Sequence, residues 1–312
     1  MLGDALLERG DPRGELIQLQ LAGRGTARVA ELLAKHGRTW LDGLQRTARG
    51  RLRTDTVIGP RVFRRGFVAR IGLQKLPNDA ELALTAWRTV EELALVFAHP
   101  PGQVMRVLSH PHFAQLRVLD LSCDLLARLE LDRELGRVHV TMPLALLPPR
   151  LRIRELIVTQ GYVDDAPPAK LLAWIAQQPQ AHALRSIVIE PSDDALAAAV
   201  AWLAAGALPD LARVALDADL GWPVTDPSEW RRAPWRIELA RRDGIAVDLT
   251  WRVPTASRWP VDMIAALPRG SIASLTAHAI VPMAFDDHTR LEAGLAEAAR
   301  HHRLPPPRLE PP

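Results

Sequence analysis

The chain has 312 residues, of which 48% are hydrophobic and 24% are charged, and its formal net charge at pH 7 is +3. This composition excludes an intrinsically disordered protein and allows a large core. Cys123 is the only cysteine, which excludes a disulfide framework and fits a cytoplasmic protein. The most apolar stretch, residues 195–208, is too short to cross a bilayer, so no membrane span is predicted. The first nine residues lack the apolar core of a signal peptide.

Two short helices are predicted at the N-terminus, where residues 6–20 read LLERGDPRGELIQLQ. Gly10 is suited to end the first helix, Asp11 to cap the second, and Pro12 to occupy its first turn. The apolar residues expected on the buried side of the second helix are Leu16, Ile17 and Leu19. The pattern predicts a helix-turn-helix cap.

This N-terminal motif resembles the short repeat-companion domain that begins many bacterial leucine-rich-repeat-like proteins, notably in myxobacteria and planctomycetes. Residues 36–41 (HGRTWL) and 64–73 (RRGFVARIGL) are similar to the segments that lead those proteins into their first strand. Ala5 stands where the family usually has a tryptophan. The resemblance implies a helical cap over residues 1–60 and an interaction role, and it brings no catalytic residues.

A basic segment follows the cap, because residues 46–70 contain eight arginines and a single acid, Asp55. Such a balance attracts an acidic partner or a phosphate backbone. Nucleic-acid binding through this segment, with Arg61, Arg64 and Arg65 as its basic patch, is therefore the alternative hypothesis for function. The segment lacks a stacking platform for bases, so we expect only weak, salt-sensitive binding to DNA or RNA.

A strand motif, apolar-x-x-apolar-x-apolar, recurs through residues 61–285. Its eight occurrences are Val68/Ile71/Leu73, Val90/Leu93/Leu95, Leu116/Leu119/Leu121, Leu135/Val138/Val140, Ile153/Leu156/Val158, Leu184/Ile187/Ile189, Leu211/Val214/Leu216 and Ile272/Leu275/Ala277. The middle residues are separated by 22, 26, 19, 18, 31 and 27 residues and then by a gap of 61. The shorter intervals scatter around the length of a leucine-rich repeat. The gap is predicted to hold a degraded copy near Leu249.

Helical patterns lie between several of these strands, at residues 170–177, 194–205 and 261–267, with Gly206 and Pro268 as stop signals. Strands that alternate with helices predict an α/β fold. We expect a leucine-rich-repeat-like solenoid with a curved parallel sheet, sequential strand order, and helices on the outer side. A doubly wound α/β domain has the same alternation and remains the alternative fold.

The C-terminal third has a different composition. Five of the nine tryptophans fall between residues 222 and 259, and they either fill an irregular core or form an exposed interaction surface. They are Trp222, Trp230, Trp235, Trp251 and Trp259. Residues 286–303 are predicted to form a capping helix that ends with His301 and His302, where cations suit the helix dipole. Residues 304–312 are predicted to be an extended, poorly packed, proline-rich tail.

No catalytic site, metal site or cofactor is predicted. His110 and His112 flank Pro111, but no third ligand lies at a recognisable spacing. The aspartates at positions 164, 165, 193, 194, 286 and 287 precede helical patterns and are interpreted as caps. The chain has no phosphate-binding glycine loop, nucleophile elbow or zinc-protease motif, and Cys123 is predicted to be a small core or loop residue.

The sequence therefore predicts a non-enzymatic protein-interaction module, either a scaffold or a regulatory subunit, that binds its partner through the strand face. The candidate binding residues stand beside the apolar strand positions: Arg117, Asp120, Arg154, Glu155, Arg185, Glu190, Arg213 and Asp217. Because both charge signs are present, a protein partner is favoured over nucleic acid.

Overall fold

The chain folds into two compact units, residues 1–135 and 136–312. The computed structural model describes residues 2–23, 25–41, 44, 62–95, 99–141, 146–159, 168–179, 181–190, 194–206, 208, 211–217, 235–251, 259–279, 285–307 and 309–310. Both units are mixed α/β structures with sheets that are mostly parallel, so the predicted fold class is confirmed at that level.

The first unit begins with three helices, α1 (Leu2–Glu8), α2 (Pro12–Ala22) and α3 (Thr26–His36). The predicted caps are present: Gly10 has a positive φ of 71°, and the Asp11 carboxylate accepts a hydrogen bond of 2.9 Å from the Arg13 N–H. Three helices thus occupy residues 2–36 of the predicted cap.

A hairpin of two short strands, β1 (Phe63–Arg64) and β2 (Phe67–Val68), packs on α2. Its two turn residues, Arg65 and Gly66, both have positive φ, which is the backbone that a two-residue hairpin turn requires. Gln20 bonds both sides of the turn, since its amide donates to the Phe63 carbonyl and accepts from the Gly66 N–H, each at 2.8 Å. A Cβ on Gly66 would lie 2.4 Å from Ile17 Cγ1, so only glycine fits here.

The sheet of the first unit contains three parallel strands in sequential order, β3 (Arg70–Leu73), β4 (Glu92–Leu95) and β5 (Val118–Ser122). The connections contain the helices α4 (Asp79–Leu82) and α5 (Pro101–Leu108) and the 3₁₀ turns Thr85–Thr89 and Pro111–Phe113, and α6 (Cys123–Ala127) follows β5. Cys123 is fully buried, as expected of a core residue.

The sheet of the second unit has eight strands in sequential order. They are β6 (Glu134–Thr141, which begins two residues before the boundary), β7 (Arg152–Thr159), β8 (Ser186–Ile189), β9 (Arg213–Asp217), β10 (Trp235–Arg242), β11 (Gly244–Trp251), β12 (Ser274–Ala279) and β13 (Leu309–Glu310). Its helices are α7 (Pro168–Ala176), α8 (Ala195–Ala204), α9 (Trp259–Ala265) and α10 (Phe285–His302), and a 3₁₀ turn spans Ala181–Ala183. The three helices predicted between strands are α7, α8 and α9, and the predicted capping helix is α10.

One strand of the second unit contradicts the prediction of a wholly parallel sheet. Strand β10 is antiparallel to both β9 and β11, whereas β7–β8–β9 and β11–β12–β13 are parallel. The gap of 61 residues in the strand motif therefore contains a hairpin, of which the predicted degraded copy near Leu249 is only the second strand. Trp235 and Trp251 are cross-strand partners in this hairpin and are buried, while Trp222 and Trp230 lie outside the described residues.

The C-terminal segment is not a poorly packed tail throughout. Leu309 and Glu310 pair in parallel with Ala277 and His278 of β12, and the Leu309 side chain is only 4% exposed. The proline-rich sequence gives an extended chain as expected, but an extended chain with an apolar residue is also able to pair with the open edge of a sheet. The prediction of poor packing is wrong for these two residues.

The strands begin in the same way in both units. A turn precedes each of five strands, and in it the N–H of residue i+3 donates to the carbonyl of residue i. The bonded pairs are Trp87/Val90, Phe113/Leu116, Pro148/Leu151, Ala181/Leu184 and Leu208/Leu211. The N–H groups of the residues that directly follow the turn then bond to the neighbouring strand start. The carbonyls of Ala69, Glu91 and Arg185 each accept two consecutive N–H groups from the strand that follows. This arrangement turns the first apolar residue of the motif inward, as the sequence predicts.

The C-terminal ends of α5 and α8 are also alike, because an arginine from a later part of the chain donates hydrogen bonds to carbonyls at each of them. Arg133 donates to the carbonyls of Leu108, at the end of α5, and Phe113, in the following turn, at 3.4 and 3.0 Å. Arg241 donates to the carbonyls of Leu203 in α8 and Leu208 in its following turn, at 2.8 and 3.3 Å. The carbonyls at a helix end have no N–H partner further along the helix, and these arginines give them a charged donor.

The two histidines that end α10 also bond to carbonyls at the end of another helix. The imidazole Nε2 atoms of His301 and His302 lie 3.1 and 3.0 Å from the carbonyl oxygens of Leu267 and Ile264. Residue His302 is 3% exposed. The prediction placed these side chains at the dipole of their own helix, but they bond to the end of α9 and the turn after it and hold α10 against α9.

Candidate functional site

Each strand has an inner face, which packs against helices, and an outer face. On β5, Leu119 and Leu121 are buried and point inward, while Val118, Asp120 and Ser122 alternate with them and are half-buried. The inner row of the second unit contains Leu156, Ile187 and Val214 in register, all fully buried. We call the opposite side of each sheet the outer strand face, and it carries Asp120 in the first unit and Glu155, Arg213 and Asp217 in the second.

A polar network crosses three strands on the outer strand face of the second unit. The Arg213 guanidinium donates to the Ser186 hydroxyl and to the Glu238 carboxylate, both at 3.2 Å. Arg236 then donates to Asp217 at 2.9 Å and to the other oxygen of Glu238 at 3.3 Å. Glu238 therefore joins two arginines, and both carboxylates have charge-assisted partners.

The network borders an apolar strip on the same face. Ile157, Val188 and Ala215 are in register on β7, β8 and β9, and the last two are 1% and 0% exposed. Asp217 is 5% exposed although it is charged. A buried carboxylate costs several kcal/mol unless it is paired and hydrogen-bonded, and Arg236 supplies that pairing.

Further polar pairs flank the strip. Arg137 on β6 donates to Glu155 on β7 at 2.8 Å, and the His139 imidazole lies 3.2 Å from the Thr159 hydroxyl. Toward the C-terminal strands, His278 Nε2 lies 3.4 Å from an Asp248 oxygen, where both side chains are exposed to solvent. The described outer strand face of this unit thus displays both charge signs in cross-strand pairs.

The first unit has a smaller set of paired charges, and it involves the predicted basic patch. Arg64 donates to Glu91 at 2.5 Å and lies 3.4 Å from Glu92, which also pairs with Arg70 at 3.8 Å. Arg65 is exposed in the hairpin turn, and Arg61 lies outside the described residues. The charge of Arg64 is therefore partly compensated by the protein itself.

The structure divides the eight predicted binding residues into two groups. Asp120, Glu155, Arg213 and Asp217 share the outer strand face of their own unit, and Glu190 is half-buried directly after β8. Arg117, Arg154 and Arg185 instead lie at the beginnings of their strands, where their side chains are exposed. Their backbones take part in the bonds between strand starts, for example the 2.8 Å bond from the Arg185 N–H to the Arg154 carbonyl. These three arginines do not belong to the network.

Sequence reasoning missed several members of this face, among them Arg137, Arg236 and Glu238. The last two lie on β10, which does not follow the repeated motif. A signal was present, because residues 235–239 alternate strictly as Trp, Arg, Ile, Glu and Leu, which is the pattern of a strand with one buried face. That alternation also assigns Arg236 and Glu238 to the same face.

The carboxylates of the polar network are all paired with arginines. The carboxylates of Asp217 and Glu238 are each within 3.3 Å of a guanidinium, so neither is poised as a free base. Among the residues that the structure describes, no three histidine, cysteine or acidic side chains are grouped so that they could hold a metal ion. No helix in the described part of the chain is both long and apolar enough to span a membrane.

Comparison with known protein-family models, with curated proteins and with solved structures finds no match to this chain.

Proposed function

We propose that the chain is a leucine-rich-repeat-like solenoid and that it acts, inside the cell, as a non-enzymatic protein-interaction module, as a scaffold or a regulatory subunit. The recurrent turn and carbonyl bonds at the strand starts support this architecture, since a solenoid is built from units that bond to their neighbours in a repeated way. The resemblance of residues 6–20 to the repeat-companion domain supports the same conclusion.

The observation that carries the functional proposal is the composition of the outer strand face in the second unit. It carries a polar network of both signs, Arg213–Glu238–Arg236–Asp217, in which the Arg213 and Glu238 side chains are 40% and 30% exposed. Arginine is enriched in protein interfaces. Because its carboxylates alternate with arginines, this face does not present the uninterrupted positive charge that a phosphate backbone requires.

Site-specific photo-crosslinking in the native cell tests the proposal. A photoreactive amino acid at Thr276, which is exposed on the outer strand face, should give a discrete crosslinked protein. The same group at Arg300, exposed on α10, is the matched control and should give none. The partner identified in this way should bind the purified chain, and Thr276→Arg should weaken that binding at least tenfold without changing the circular dichroism spectrum.

Two results would contradict this function. Equal crosslinking from Thr276 and Arg300 would show that the outer strand face has no preferred partner. Submicromolar binding to generic DNA or RNA that persists at about 200 mM salt would favour the nucleic-acid hypothesis, since unspecific phosphate binding is lost over this range. The variant Arg61→Glu/Arg64→Glu/Arg65→Glu would then identify the basic patch as the site.

A further inference from the structure

A groove lies in the first unit, outside its strands. It has a volume of about 600 Å³ and lies between the end of α4, the 3₁₀ turn of Thr85–Thr89 and the 3₁₀ turn of Pro111–Phe113. Its polar lining consists of Arg88, His110, His112 and Gln115, and no carboxylate lines it. The groove therefore offers one permanent positive charge and three further polar side chains.

Arg88 has no ion-pair partner among the described residues, and the residue is exposed. Four other arginines of the same unit, Arg28, Arg64, Arg106 and Arg128, each lie against a carboxylate. An unpaired guanidinium that lines a groove without acids has its donors available for an external acceptor.

The hydrogen bonds of the two histidines determine which ring nitrogens carry protons. The His112 backbone N–H donates to His110 Nδ1 at 3.3 Å, so that nitrogen is an acceptor and the proton of neutral His110 resides on Nε2. His112 Nδ1 lies 2.9 Å from the Leu82 carbonyl oxygen, which only accepts, so this nitrogen carries a proton. His110 thus supplies a second N–H donor, and its Nε2 has no lone pair for a metal ion.

Two buried aromatic side chains fix the backbone that lines the groove. Trp87 and Phe113, which adjoin Arg88 and His112 in the sequence, are fully buried with their ring centroids 5.4 Å apart. The Trp87 indole donates to the Glu81 carbonyl at 2.7 Å. Because both turns are fixed in this way, the groove is formed before a ligand arrives, and little conformational entropy is lost on binding.

We propose that this groove binds an oxyanion, either a carboxylate or a phosphate group, through the Arg88 guanidinium and the His110 Nε2–H. The guanidinium presents paired N–H groups that match the geometry of both anions, and the imidazole and the Gln115 amide add single donors. The groove contains none of the residues of the proposed partner-binding network, so it adds a ligand of defined charge to a protein-interaction module.

NMR titration of the untagged full-length chain, with ¹⁵N-labelled arginine and histidine side chains, tests the site. Inorganic phosphate and acetate are the probes, and sodium chloride at matched ionic strength is the reference. Saturable shifts of the Arg88 Nε–H and the His110 ring are expected with at least one probe, and the tighter probe identifies the class of anion. Arg88→Gln should weaken binding at least tenfold. Arg128→Gln, an exposed arginine paired with Asp124, is the matched control and should bind normally.

Three outcomes would overturn the proposal. The first is an equal affinity of Arg88→Gln and Arg128→Gln for the probe. The second is a response to sodium chloride that equals the response to phosphate and acetate, which would show general screening. The third is stoichiometric Zn²⁺ binding that shifts His110 and His112 together, because it would make these histidines metal ligands.

Discussion

The two units use the same bonds to hold their helices but differ on the outer strand face. Arg133 and Arg241 each bond to the carbonyl at a helix end and to a second carbonyl five residues later. The outer positions in register differ in chemistry: Gly72, Ala94 and Asp120 in the first unit, and Ile157, Val188 and Ala215 in the second. The backbone plan is therefore set by the inner residues and the turns, and the outer strand face is free to vary with function.

The shared inner face gives the largest expected effect. Leu119→Asp in the first unit and Val214→Asp in the second should each destabilise their unit by at least about 4 kcal/mol, since both side chains are fully buried and no partner awaits a charge. Urea unfolding followed by circular dichroism measures the loss. Val118→Asp, on the half-buried outer side of the same strand as Leu119, is the control and should cost far less. Native-like midpoints for either buried variant would contradict the assignment of the faces.

Substitution of the arginines at the helix ends should give the second largest loss of stability. Arg133→Met and Arg241→Met should each cost about 2 kcal/mol, because two or more carbonyls lose a charge-assisted hydrogen bond while the aliphatic packing is kept. Burial also lowers the pKa of the Arg133 guanidinium below its ordinary value, although it stays charged at neutral pH. Arg128→Met, in an exposed ion pair, should change stability by less than about 0.5 kcal/mol. A large loss of stability in only one of the two variants would contradict the equivalence of Arg133 and Arg241.

The difference between the outer faces predicts a smaller effect. Val188→Ala should destabilise the second unit by about 2 kcal/mol, because Val188 is 1% exposed against Ala215 and Ile157. The same change at Val118, which is half-buried on the outer face of the first unit, should cost less than about 1 kcal/mol. Urea midpoints of the two variants, measured side by side, give the ratio. Equal losses would show that the two outer faces are packed alike.

The smallest effect concerns pH and the first unit alone. Burial lowers the pKa of His99, and its Nε2 is buried with no hydrogen-bond partner among the residues that the structure describes. The unfolded chain takes up this proton near pH 6.5 while the folded chain does not, so stability falls as the pH drops through about 6.5 and levels off below the folded pKa. His99→Asn should remove this part of the pH dependence, as measured by urea midpoints between pH 5.5 and 8. His182→Asn, at an exposed histidine, should retain it.

The sequence was informative wherever a residue's role depends on its neighbours in the chain. The strand motif placed Leu119, Leu156 and Val214 on inner faces correctly, since a period of two determines the face. It failed at β10, where the chain reverses direction, because antiparallel pairing leaves no trace in a repeat spacing. The outer strand face was predicted only in part: Glu155 and Arg213 were identified, but their partners Arg137 and Glu238 are fixed by register between strands, which the spacing does not encode.

The hydrogen bonds at the strand starts bear on two properties of the sheet, the register of its strands and the length of the connections between them. The accepting carbonyls of Ala69, Glu91, Arg154 and Arg185 bond in a similar way to the next strand start, although the chain between successive starts differs in length. The register of the sheet is therefore independent of connection length. Helical segments between these points can lengthen, shorten or be exchanged during evolution without shifting a strand, and exposed positions within these connections are suitable places to insert a foreign peptide or to open a circularly permuted chain.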